Sequence, residues 1–194
     1  MVHGEEVATP AATPAAAVLR RWPTWLGIGL AAWVALDLSE GDDLGPGLVA
    51  MAVVYLAAAA LGRPAAAWVV FPATFLIVLT SQELASDAVA MWLQIGLAVA
   101  FVGYAVVRGA GREGDRTFTR QAVAMVGFAA VAGAAMALGD DAGAYVIAAG
   151  LFGHAVWDAY HHRRNEAVAR SYAEFCSVLD VLVAVAVVVA TIGG

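Results

Sequence analysis

The sequence predicts an all-α integral membrane protein of seven transmembrane helices. Three observations carry this: an apolar composition, a series of apolar runs of membrane-spanning length, and arginines confined to every second connection. Of the 194 residues, 62% are hydrophobic and 13% charged, with a mean hydropathy of +0.80. A soluble domain carries roughly 25% charged residues. The apolar content rests on Ala and Val together with 20 Gly, a mixture that suits close helix approach in lipid.

Residues 1–19 (MVHGEEVATPAATPAAAVL) are rich in Ala, Pro and Thr and lack the basic and apolar regions of a secretory signal. They are expected to form a disordered cytoplasmic tail, with residues 20–194 as one transmembrane domain. Arg20 and Arg21 then anchor the first span on the cytoplasmic side. A bilayer-crossing helix needs about 20 mostly apolar residues. The runs meeting this are 23–39, 45–62, 65–82, 88–107, 120–138, 142–161 and 170–192. Pro72 is expected to kink the third of them.

Charge tests the parse. Arginine occurs before span 1 (Arg20, Arg21), between spans 2 and 3 (Arg63), between 4 and 5 (Arg108, Arg112, Arg116, Arg120) and between 6 and 7 (Arg163, Arg164, Arg170). The other connections are acidic, with Glu40, Asp42 and Asp43, then Glu83 and Asp87, then Asp140 and Asp141. Positive loops stay cytoplasmic. The pattern therefore puts the N-terminus in the cytoplasm and the C-terminus outside, in the plasma membrane.

The segment from Gly29 (GLAAWVALDLSEGDDLG) aligns without a gap to the one from Gly127 (GFAAVAGAAMALGDDAG). Both end in a GDDxG turn, Gly41–Gly45 and Gly139–Gly143. The match predicts a 3+1+3 parallel internal repeat, a plan found in small carriers. The turns read as helix starts, or as a cation-attracting vestibule of Asp42, Asp43, Asp140 and Asp141.

Composition excludes several functions. There is no lysine, so no Schiff-base cofactor linkage. Cys176 stands alone and reads as a small core residue, which removes disulfides and multi-cysteine metal sites. A net charge of −6 argues against nucleic acid as a partner. No complete catalytic motif is present. The six tryptophans and the tyrosines fall mostly near span ends, as interfacial belts do.

One chemical signal is concentrated in the last two spans: GHAVWDAYHH followed by RSYAEFCSVLD. His154, Asp158 and His161 recur at i, i+4 and i+7, on one stripe of a helix. Antiparallel packing is expected to set Glu174 of span 7 near the depth of Asp158, with Asp180 deeper, near mid-membrane, and to bring these groups close together. Gly150 and Gly153 are expected to permit close approach beside His154. Ionisable groups at membrane depth are costly and face an interior or a cavity.

Three readings follow. In one, Asp158 and Glu174 pair with Arg163, Arg164 or Arg170, and the chain is a structural or accessory subunit. Gly/Ala-rich spans 5 and 6 then offer surfaces for a homo-oligomer or a membrane partner. In the second, His154, Asp158, Glu174 and Asp180 form a proton or ion relay of a small proton-coupled transporter. In the third, His154, Asp158, His161 and Glu174 bind Zn or Fe as an intramembrane metal-dependent enzyme.

Overall fold

The computed structural model describes residues 18–38, 44–110 and 116–193, without the side chain of Asp37. Most of the expected tail (residues 1–17), Glu40, Arg112 and the first acidic turn with Asp42 and Asp43 lie outside the described residues. Among the described residues every regular element is helical. In chain order these are α1 (Trp22–Asp37), α2 (Gly45–Leu61), α3 (Ala67–Leu84), α4 (Asp87–Arg108), α5 (Arg116–Leu138), α6 (Asp140–Arg164) and α7 (Arg170–Gly193), with a short 3₁₀ turn (Pro64–Ala66) leading into α3.

Four of these helices, α3 (taken with its 3₁₀ turn), α4, α5 and α7, are long and apolar enough to cross a membrane. No more than 39% of the apolar stretch of any of them is buried. Val69, Trp92, Val99, Val126 and Val189 each expose 64% or more of their surface. An apolar exterior of that extent marks a membrane protein. α1 and α2 are shorter apolar helices.

Helix α2 is the centre of the bundle. It is enclosed by α3, α4 and α5 and touches α6. Leu48, Val49, Val53, Val54 and Leu56 have no exposed surface. Burial on all sides explains why α2 is apolar all round instead of amphipathic. Gly62 ends it in the left-handed conformation (φ +63°), which glycine adopts without a Cβ penalty. Gly139, with φ +61°, makes the turn into α6 in the same way. Ser86 caps α4, its Oγ accepting from the Val89 amide at 3.3 Å. α3 runs on through Pro72 as one helix, with the Thr74 hydroxyl donating to the Phe71 carbonyl at 3.0 Å.

The connections sort into two ends. At one, Arg21 pairs with Glu174 at 3.2 Å and Arg120 with Glu166 at 3.1 Å. There too Arg108 donates to the Leu61 carbonyl at 2.8 Å. These contacts gather the starts of α1, α5 and α7 with the ends of α2, α4 and α6. At the other end Leu38, Leu44, Gly139, Asp140 and Thr191 line one cavity of about 430 Å³. The helices therefore alternate in direction, and the described arginines share one end.

Helices that the expected internal repeat would make equivalent pack differently. α1 lies along α7, whereas its counterpart α5 lies between α2 and α6. The shared glycines Gly29 and Gly127 mark no close approach, since a Cβ at either meets nothing within 4 Å. Gly27 does: a Cβ there would stand 2.7 Å from the Phe175 carbonyl oxygen of α7. Gly150 also departs from expectation. A Cβ on it would meet Leu48 and Val131, at 2.7 and 2.8 Å, so it admits α2 and α5 instead of α7, and Gly153 faces open space.

Candidate functional site

α6 and α7 form the most extensively packed pair of helices. The link between them is held under the bundle by the Ala169 amide, which donates to the Pro64 carbonyl at 3.1 Å. Packing sets His154 and Asp158, one turn apart on α6, against Asp180 of α7. His154 Nδ1 lies 2.7 Å from Asp180 Oδ2 and 3.4 Å from Asp158 Oδ2. Tyr55 reaches in from α2, its hydroxyl donating to Asp158 Oδ1 at 2.5 Å. His154, Asp158 and Asp180 have no exposed surface. The rings of Phe128 and Tyr55 meet the imidazole edge-on, at centroid distances of 4.9 and 5.5 Å. Asp180 sits ten residues into α7 from Arg170, roughly 15 Å along the axis and near mid-bundle.

The hydrogen bonding of this group is incomplete. Asp180 Oδ2 is the acceptor at Nδ1, which therefore carries an imidazole proton in the assignment the network supports, and Asp158 Oδ2 lies beside it at 3.4 Å. His154 Nε2, Asp158 Oδ2 and Asp180 Oδ1 have no hydrogen-bond partner. Each buried atom left so costs about 1–3 kcal/mol. Among the described residues no ion pair joins an arginine to Asp158 or Asp180. Arg164 lies instead over the Tyr160 ring, at 5.6 Å. The expected pairing of Asp158 with the arginines at the helix end is thus replaced by Tyr55 and His154.

The other candidate residues lie apart from this group. His161 closes a separate ring of three bonds. Its Nδ1 donates to the Trp157 carbonyl at 2.8 Å. Its Nε2 accepts from Gln121 Nε2 at 2.8 Å, and Gln121 Oε1 accepts from the Trp157 indole at 3.2 Å. Both ring nitrogens are satisfied, which fixes one neutral tautomer. Glu174 faces α1, accepting from Thr24 Oγ1 at 2.6 Å and pairing with Arg21. It is part of the arginine-rich end, one helix face away from Asp158.

The geometry brings together one ligand atom each from His154, Asp158 and Asp180, all within 4.8 Å of one another. This group could hold a metal ion. It retains two of the four residues expected as ligands, and Asp180 stands where His161 and Glu174 were expected. A cavity of about 70 Å³ adjoins Asp180, lined also by Leu44, Met51, Phe71 and Thr74. Leu44 borders the larger cavity of the opposite end as well. Asp140 lines that larger cavity.

Three participants are absent from the sequence reading. Tyr55 is the one polar-tipped side chain in the run Leu48–Ala60, and that isolation is its only signal. Gln121 looks like a loop residue beside Arg120, and Tyr172, fully buried at 0% exposure, looks like an interfacial tyrosine.

No protein-family model, curated protein or solved structure matches the chain. The functional argument therefore rests on the site.

Proposed function

We propose that the protein is a small ion-translocating membrane protein whose cation-binding centre is His154, Asp158 and Asp180. The supporting observation is a fully buried carboxylate–imidazole–carboxylate group near mid-bundle, with unpartnered carboxylate oxygens and, among the described residues, no arginine paired with it. Carboxylates and histidines so placed are what ion pathways use. In this reading all seven helices cross the plasma membrane. α2 contributes a short, wholly enclosed span, and α6 owes its lower hydropathy to the residues of the site. The arginine end is cytoplasmic, so the larger cavity with Asp140 opens outside. A cation enters there, passes Leu44, and reaches Asp180. It takes the place of the Nδ1 proton of the protonated imidazole, which leaves as H⁺ while the ring keeps its Nε2 proton, and this exchange couples its passage to protons. Tyr55 closes the centre toward the cytoplasm.

Reconstitution in liposomes tests this. The protein is expected to dissipate an imposed proton or divalent-cation gradient. D180N and D158N should each slow that flux, and E174Q, outside the centre, should leave it unchanged. Rates equal to those of protein-free liposomes for both gradients refute the proposal.

A further inference from the structure

We infer that the ion taken by this centre is a divalent metal ion of the zinc class, bound by His154 Nδ1 and one oxygen each from Asp158 and Asp180. The inference rests on the ion-binding reading of the same centre and names its ligand. Four observations select the class. The first is charge. With an ion bound to ionised carboxylates and a neutral imidazole the ligands carry −2, and among the described residues no arginine pairs with them. A divalent ion brings the buried group to zero, and a monovalent ion leaves an uncompensated charge where that is expensive. The second is ligand type. Calcium and magnesium take six or more oxygens or near-octahedral oxygen shells. One imidazole nitrogen with two carboxylate oxygens suits zinc and its first-row neighbours.

The third is distance. Ligands at the usual bond lengths around a tetrahedral zinc stand about 3.3 Å from one another. His154 Nδ1 is already 3.4 Å from Asp158 Oδ2. Its separation from Asp180 Oδ2 is 2.7 Å, so the ion takes the place of the Nδ1 proton, the ring keeping one proton on Nε2 and staying neutral, and opens that pair by roughly 0.6 Å to reach the tetrahedral spacing. The fourth is support. Tyr55 holds Asp158 Oδ1 and leaves Oδ2 unpartnered and turned to the centre. A hydrogen bond of this kind orients a ligating carboxylate. On the Asp180 side a cavity of about 70 Å³ has volume for a water molecule.

The test is titration of the purified full-length protein in detergent with Co²⁺, read through the visible bands of four-coordinate cobalt, followed by displacement with Zn²⁺. One equivalent is expected, in a low-symmetry site that Zn²⁺ empties and Mg²⁺ or Ca²⁺ does not. H154Q and D180N should weaken binding by more than about tenfold, and Y55F by about tenfold, as orienting partners do. E174Q should bind as wild type. The inference is overturned if wild-type protein, monodisperse and helical by circular dichroism, takes up no stoichiometric Co²⁺. Unchanged binding in D158N and D180N overturns it equally. The liposome assay separates the two claims. Proton flux without metal uptake sinks the metal assignment alone. Metal uptake without flux sinks translocation and leaves the centre a metal site.

Discussion

Replacing Tyr55 by Phe isolates the bond that ties the central helix to the site. The ring remains, with its edge contacts to His154 and to His161 at 5.5 and 5.1 Å, so packing is conserved. What is lost is one hydroxyl, and with it the partner of Asp158 Oδ1. Hydrogen bonds to charged groups contribute about 1.5–3 kcal/mol in soluble proteins. Those between helices in a bilayer average about 0.6 kcal/mol and reach about 1.7. At 2.5 Å, buried and directed at a carboxyl oxygen, this bond belongs at the top of the membrane range. The expected loss is about 1.5 kcal/mol, roughly tenfold in the unfolding constant. Reversible unfolding in mixed micelles titrated with dodecyl sulfate, followed by tryptophan fluorescence, measures it. The cycle with Asp158→Ala assigns it, because in that background the Tyr55→Phe effect should fall to about zero. A single-variant loss below about 0.3 kcal/mol, or a loss undiminished in the Asp158→Ala background, refutes the argument.

Gly27→Leu should separate α1 from α7 and cost about 1–3 kcal/mol in the same assay, because the Phe175 carbonyl behind it is backbone and cannot move aside. Gly29→Ala, two residues on in open space, should gain up to about 1 kcal/mol from helix propensity. Nitrogen-15 spectra of the histidines should show His161 in the Nδ1-protonated tautomer, and Gln121→Leu should alter that signal while leaving His154 unchanged. Leu44→Trp, at a half-buried residue bordering both cavities, should slow flux in liposomes, with a loss of unfolding stability of no more than about 1–3 kcal/mol, the scale of overpacking.

Much of the fold was legible because its causes are local. Apolar runs gave the helices, and the arginine pattern anticipated which connections meet at one end, as the Arg21–Glu174 and Arg120–Glu166 pairs illustrate. The site was legible in part. Helical spacing placed His154 beside Asp158, while counting depth matched Asp158 to Glu174 and put Asp180 deeper than His154, although Asp180 Oδ2 in fact meets His154 Nδ1 at 2.7 Å. Helical rotation was not legible. Glu174 precedes Asp180 by six residues, about 240° around the helix, so the two face different neighbours. His161 shares the stripe of His154, but its side-chain partner Gln121 comes from α5, a helix no sequence spacing relates to it. Tyr55 was hidden for the same reason: its role is created by the position of α2 inside the bundle.

The two buried histidines of α6 support a functional argument by their difference. Both occupy the same helix, both are enclosed by aromatic rings, and both have 1% exposure or less. His161 spends every polar atom on a closed ring of bonds with Gln121 and Trp157, which stabilises the packing of α5 on α6 and leaves no capacity for a ligand. His154 faces two carboxylates across short distances, and three polar atoms of that trio find no partner. Folding alone does not require such a group, since apolar residues of similar volume fill a membrane interior at lower cost. The chain satisfies a buried imidazole completely at His161, seven residues away. The open valences at His154, Asp158 and Asp180 are therefore the part of the bundle best explained by something that binds there.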